Sequence, residues 1–459
     1  MELSDIKKYN GAHLAISTLL MEQAMTSPAQ SNADLMARRT KAIPRAIGNA
    51  HALFAARALN SEIWDVEGKR YIDFCAGIAV LNTGHGHPRV LEAISNQLPN
   101  FSHTCFQVMA YESYVELAER VAQLAPGSFP KKAFFMSTGA EAIENAIKLA
   151  RAFTNRSAII SFNGAFHGRT MFALALTGKV DPYKTGFGPM PGEVYHAPYP
   201  SDVHGISVDD AIGGIEKLFK NDVDPNRVAA IFVEPVQGEG GFIPGSGDFF
   251  RRLRALCDRH GILMVADEIQ TGVARTGKIF AMEHFGVVPD LTTMAKGLGG
   301  GMPISAVVGR ADVLDFCKPG ALGSTYAGHP LACTAALAVL DIVRDENLCE
   351  RSLIIGEQLR SYFGALSERF NCIGDVRGLG AMTAIEFFHD GDKSRPAPEI
   401  ANALKTEAAQ RGLLLLTCGI YGNVLRIMTP LTIPYPVLQE GLEIIGTVMA
   451  DLVAQQVAA

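Results

Sequence analysis

At 459 residues, with 19% charged and 48% hydrophobic residues and a formal net charge of −6, the chain is long enough for two or three domains and has no basic footprint for nucleic acid. No apolar run reaches the roughly 20 residues that cross a bilayer, and the eight cysteines lack CxxC or zinc-like spacing, which argues for reduced thiols in the cytoplasm. What remains is chemistry on small molecules in a folded protein.

Residues 1–34 carry no clear periodic pattern and read as an N-terminal extension that need not be ordered. Lys7-Lys8 with the apolar stretch at 16–20 is too short and polar for a signal peptide. Over 35–78, alternating apolar residues around Trp64 and Tyr71, with Glu67-Gly68 as the turn, predict a hairpin in the first part of a small domain. Between 79 and 346 the pattern becomes strand, loop, helix in repetition. The runs 133–136, 158–161, 229–233, 262–266, 291–294 and 304–308 are candidate buried strands, and the helical stretches between them predict a large α/β domain with a mostly parallel sheet covered on both faces. From 347 to 459, amphipathic stretches and short strands near 380–388 and 424–428 predict the α+β remainder of the small domain.

Several motifs sit where these strands end. Ser137-Thr138-Gly139-Ala140-Glu141 follows a strand and opens a helix whose Ile143, Ala146, Ile147 and Ala150 share one face; small residues at a helix start let backbone N–H groups approach a phosphate, though an ordinary capped turn has the same look. Phe166-His167-Gly168-Arg169 follows the next strand. Glu234-Pro235-Val236-Gln237-Gly238-Glu239 places two acids in a glycine-rich loop after a third. Asp267 closes the run at 262–266, and Lys296 stands between the run at 291–294 and Gly297-Leu298-Gly299-Gly300-Gly301. Residues just past the carboxyl ends of parallel strands converge on one crevice, so this amine and carboxylate can grip opposite sides of one cofactor; a lysine Schiff base with a carboxylate at the pyridinium nitrogen is how pyridoxal phosphate is held. Arg169 and Arg426 are the cations suited to bind substrate carboxylates, since a guanidinium matches them bidentately. His85-Gly86-His87 is the only close histidine pair and lacks further ligands at a suitable interval, so no metal site is expected.

Taken together, Thr138-Gly139-Ala140, the stretch from Glu234 to Phe242, Asp267-Glu268-Ile269-Gln270-Thr271-Gly272, Ala295-Lys296-Gly297 and Gly323-Ser324-Thr325-Tyr326 resemble the class III pyridoxal-phosphate aminotransferases of fold type I, from about residue 35 to the C-terminus. Within that class, Ala76-Gly77-Ile78-Ala79, Ser102-His103-Thr104-Cys105-Phe106-Gln107 and Gly374-Asp375-Val376-Arg377-Gly378-Leu379-Gly380 are similar to the bacterial members that act on 4-aminobutyrate. The resemblance implies transfer of an amino group from 4-aminobutyrate, with 5-aminovalerate as a further donor, to 2-oxoglutarate by a ping-pong mechanism. It leaves open ornithine, acetylornithine or another ω-amino acid as donor, and an aminomutase on the same fold. It implies that Lys296 bonds to the cofactor and then moves the proton, and that Asp267 keeps the ring nitrogen protonated. Thr138, Gly139 and Ala140 would hold the phosphate, Gln270 the phenolic oxygen, and Ile269 one ring face. Phe166, where relatives often carry tyrosine, and His167 complete the cofactor set. Thr325 would reach the phosphate of a neighbouring subunit, which implies a homodimer or a dimer of dimers with composite sites. On the substrate side it implies Ile78, Arg169, Glu234, Glu239 and Arg426, with Arg169 holding the carboxylate shared by both substrates and Glu239 neutralising Arg426 until glutamate binds.

Overall fold

The computed structural model describes residues 30–458, so the expected extension lies outside the described residues up to residue 29. The described chain divides into two compact units, one of residues up to 57 together with 63–71, the other of 58–62 and 72 onward. In the first, helix α1 (Asn32–Ala42) starts on a capping box: Ser31 and Asp34 satisfy each other's backbone N–H groups, an arrangement worth about 1 kcal/mol. Asn32 donates to Asp65 and accepts from the Phe54 N–H. The expected hairpin turn is present: Asp65 N–H donates to the Lys69 carbonyl, and Gly68 takes φ of 83°, a left-handed conformation that glycine adopts without penalty.

The second unit is built on a seven-stranded sheet. Its strands are β1 (Lys131–Met136), β2 (Ala158–Phe162), β3 (Val194–Ala197), β4 (Val228–Val233), β5 (Leu263–Asp267), β6 (Leu291–Met294) and β7 (Ser305–Arg310), in the spatial order β1-β7-β6-β5-β4-β2-β3. Every residue of β2, β4, β5 and β6 is buried, as continuous apolar runs demand when helices cover both faces. Helix α2 (Gly139–Thr154) packs the face predicted for it, with Ile143, Ala146, Ile147 and Ala150 at most 1% exposed.

Two features differ from the simple pattern. Strand β7 runs antiparallel to both neighbours, because only ten residues separate it from β6 and a parallel return needs a longer crossover. Strand β3, an edge strand of Val-Tyr-His-Ala with three of its four residues only partly buried, has too mixed a composition to stand out as a run. Further on, β8 (Ile373–Leu379), β9 (Met382–Phe387), β10 (Leu416–Cys418) and β11 (Val424–Ile427) form an antiparallel sheet in the order β8-β9-β11-β10, which puts Arg426 on an inner strand opposite Ala384. Among the described residues, no helix is long and apolar enough to cross a membrane.

Candidate active site

Sheet register sets the site. Val233, the last residue of β4, is level with Ala266 of β5, and Asp267 is level with Thr293 of β6. Glu234, Asp267 and Lys296 therefore leave the same sheet edge within a few residues of one another, as do Thr138 after β1 and the segment from Phe166 after β2. They surround a cavity of about 380 Å³ lined by Gly139, Ala140, Phe166, His167, Glu234, Glu239, Asp267, Ile269, Gln270 and Lys296, closed by Val80 and by Met302, Pro303 and Ile304 on the return to β7.

Asp267 is held from three sides: its Oδ1 accepts from the Ile269 N–H and the Thr293 hydroxyl, both at 3.1 Å, and its Oδ2 lies 2.7 Å from His167 Nδ1. Burial pulls the His167 pKa down, but the bond to Asp267 and the charges of Asp267 and Glu234 outweigh it and leave the imidazole above its ordinary value. Across the cavity Lys296 takes φ of 44°, a left-handed conformation that costs a non-glycine residue about 1 to 2 kcal/mol. Removal from bulk water lowers its amine pKa, Arg426 adds to this, and Glu239, Asp267 and Glu234 oppose it.

At the start of α2, Thr138 accepts from the Glu141 N–H and Glu141 returns a bond to the Thr138 N–H, closing a capping box. The N–H groups of Gly139 and Ala140 belong to the first turn, which no intrahelical carbonyl reaches, and both residues face the cavity. A side chain at Gly139 would put its Cβ 2.9 Å from Ile269 Cδ1, and one at Gly238 would collide with the Gln270 amide oxygen. Glu234 spends both oxygens on backbone, accepting from the N–H groups of Phe166 and Gly238 at 2.9 Å each; burial lifts its pKa to about 7. Glu268, 1% exposed and also lifted by burial to about 7, accepts from the N–H groups of Ala281 and Met282 and the Thr271 hydroxyl.

At the far end Glu239 Oε1 pairs with the Arg426 guanidinium, and its Oε2 accepts from the Tyr183 hydroxyl at 3.1 Å. Burial would raise the Glu239 pKa, yet Arg426, Lys296 and Tyr183 bring it below the ordinary carboxylate value. The backbone of this loop is clamped: Arg377 donates to the Gly241 carbonyl from Nε at 2.9 Å and from a terminal nitrogen at 2.6 Å, with Glu386 2.7 Å behind it.

Five predicted residues do not line the cavity: Thr138, which caps α2, Arg426, which pairs with the lining residue Glu239, and Arg169, Ile78 and Thr325. Arg169 is exposed beside the cavity, its guanidinium 5.0 Å from the Tyr183 ring centroid and 6.0 Å from that of Phe166. Ile78 is 41% exposed and does not line the cavity, and Thr325 is exposed and outside the lining, although the carbonyl of its neighbour Tyr326 accepts from the hydroxyl of the lining residue Ser137. Tyr183 and Glu268 were not singled out from the sequence; Tyr183 sits in a stretch without periodicity, and Glu268 looks like the neighbour of Asp267 rather than a buried anchor. His85 and His87 pair with Asp73 and Glu346, and among the described residues no group of three His, Cys, Asp or Glu side chains is placed to hold a metal.

Comparison with known proteins gives the family. The model of the family described as aminotransferase class-III matches residues 43–449. The chain belongs to the class-III aminotransferases. The aminotransferase is 56% identical over 416 residues to the 4-aminobutyrate aminotransferase of Escherichia coli, covering 91% of this chain and 98% of that one. It is 54% identical over 423 residues to the 5-aminovalerate aminotransferase of Pseudomonas aeruginosa, covering 92% and 99%. Its fold matches the PLP-bound form of an amine transaminase from an uncultivated Pseudomonas species with a TM-score of 0.82 at 30% identity, over 89% of this chain and 98% of the other.

Proposed function

We propose that this aminotransferase moves the amino group of 4-aminobutyrate, and also of 5-aminovalerate, to 2-oxoglutarate, giving the semialdehyde and glutamate in two half-reactions at one site, with pyridoxal phosphate as cofactor. The residues fit that cofactor: the cavity brings together a lysine amine, a carboxylate fixed across from it, first-turn amides for a phosphate, and Ile269 as an apolar wall too close to Gly139 for any side chain there. When bound, the cofactor supplies an electron sink for the carbon that loses its proton.

Lys296 would hold the cofactor covalently and its Nζ would carry the substrate proton, a task served by a pKa lowered below that of a free lysine amine. Asp267, kept in place by Ile269, Thr293 and His167, would keep the ring nitrogen protonated. Gly139 and Ala140, with Thr138, would bind the phosphate, Gln270 the phenolic oxygen, and Phe166 and Ile269 would border the ring. Glu234 would join the segments at Phe166 and Gly238 that form this wall.

The observation that carries the substrate reading is a buried cation neutralised by a side-chain carboxylate: Arg426 is 5% exposed and paired with Glu239. With a monocarboxylate donor bound through Arg169, the pair stays closed and no unpaired charge is buried, which would otherwise cost about 3 to 5 kcal/mol. With glutamate, Glu239 turns away and Arg426 meets the second carboxylate. Ile78 would border the donor chain.

The working unit we propose is a cytoplasmic homodimer, or a pair of dimers, in which Thr325 completes the phosphate end of the partner's site; its exposure outside the lining of the chain's own cavity supports this, as do Val108, Met109 and Tyr326, 82%, 68% and 62% exposed. Residues 79–346 would act as the cofactor-carrying domain, with 35–78 and 347–459 as the smaller one. The test is a donor panel with 2-oxoglutarate: 4-aminobutyrate and 5-aminovalerate are expected to lead, within about 200-fold of each other because they differ by one methylene. No glutamate from either donor would overturn the reading.

A further inference from the structure

Tyr183 has no part in the reading so far, yet it touches both places where a substrate carboxylate would be handled. Its hydroxyl donates to Glu239 Oε2 at 3.1 Å while Arg426 holds Oε1, so one carboxylate is gripped at both oxygens by donors from two distant segments of the chain. Its ring meets Phe166 edge-on, with centroids 5.1 Å apart, and carries the Arg169 guanidinium at 5.0 Å. Burial and the Glu239 charge push the phenol pKa to about 12, so the hydroxyl remains a donor wherever the enzyme is folded.

We propose that Tyr183 is a specificity-determining residue that latches Glu239 onto Arg426 and so sets how readily the site accepts a second carboxylate. The inference rests on the two-substrate reading above. To expose Arg426, Glu239 must rotate and give up both bonds. An incoming carboxylate replaces the bond to Arg426 but nothing replaces the bond from Tyr183, so that loss falls on dicarboxylates alone. Tyr183→Phe removes the latch and leaves the ring against Phe166 and Arg169.

The experiment compares wild-type holoenzyme, Tyr183→Phe, Glu239→Gln and the double variant. Calorimetry measures equilibrium binding of two unreactive acids, butanoate with one carboxylate and glutarate with two; single turnovers with 4-aminobutyrate and glutamate give kcat/KM for each half-reaction. In Tyr183→Phe, glutarate is expected to bind about three- to tenfold more tightly, the size of one ordinary hydrogen bond, and the glutamate to 4-aminobutyrate ratio of kcat/KM to rise by a similar factor. Butanoate affinity should change less. Adding Tyr183→Phe to Glu239→Gln should move that ratio much less than in the parent, since the latch then has no carboxylate to hold. Equal changes for both acids, weaker glutarate binding, or full additivity in the double variant would overturn the latch while leaving the proposed reaction intact. A wild-type enzyme that uses glutamate but not 4-aminobutyrate would overturn both.

Discussion

The two ends of the cavity are held by different means. Around Asp267 and Glu234, most of the bonds come from backbone N–H groups and a strand hydroxyl: Ile269, Thr293, Phe166 and Gly238. Around Glu239 they come from two side chains, Arg426 and Tyr183. A carboxylate tied to the sheet edge cannot turn without disturbing the sheet, whereas a side-chain pair parts by rotation about a few χ angles. The first arrangement suits a group that must stay put through both half-reactions, the second a group that must serve one substrate and make way for the other.

The sharpest test of this division is Asp267→Asn, which keeps the shape and removes the charge. Loss of an opposite charge beside a protonated ring nitrogen is worth one to three pKa units, so kcat should fall by about tenfold to 10³-fold, and by the same factor in both half-reactions. Single-turnover spectra with each donor would measure it, and unequal losses would break the division.

Glu239→Gln should behave in the opposite way and split the half-reactions. Arg426 is then left unneutralised whenever a monocarboxylate donor is bound but remains free for glutamate. The ratio of kcat/KM values should move against 4-aminobutyrate by about 1 to 2 kcal/mol, roughly tenfold, less than the cost of a wholly unpaired buried charge because the glutamine amide oxygen still accepts from Arg426. Equal losses would place Glu239 with the fixed end.

The third test concerns stability and the frame behind the fixed end. Burial raises the Glu268 carboxyl from the ordinary 4.5 to about 7, so as pH rises the unfolded chain releases this proton before the folded one does. The folded state therefore loses stability between about pH 4.5 and 7, by no more than about 3 kcal/mol, and nothing further above that. Glu268→Gln removes this pH dependence. Its apparent Tm relative to the parent should improve by a few degrees from pH 5 to pH 8, whatever constant penalty the amide introduces. A difference that stays flat with pH would mean that Glu268 ionises normally inside the fold.

The fixed end was far more legible in the sequence than the movable one. Buried parallel strands appear as apolar runs, and the one or two residues after each run are thereby placed at the common edge; Lys296, Asp267 and Glu234 stand there. What the runs could not convey is where a side chain spends its bonds. Glu234 and Glu239 look alike in a glycine-rich loop, yet one accepts from two amides and the other from an arginine and a phenol. Tyr183 comes from an irregular stretch whose course depends on long-range contacts, and the reversal of β7 depends on the length of its connection rather than on its own residues.

The glycine at 238 bears on how the enzyme's substrate range could be changed. Because even a methyl group there would strike the Gln270 amide, and one at 139 would crowd Ile269, neither glycine offers a position at which the pocket could be reshaped. Val80, Met302 and Ile304 border the same space with side chains that can be exchanged. Variants selected for longer, shorter or branched amines should therefore accumulate their substitutions at those three positions, and libraries aimed at the glycines should return mainly unfolded or cofactor-free protein.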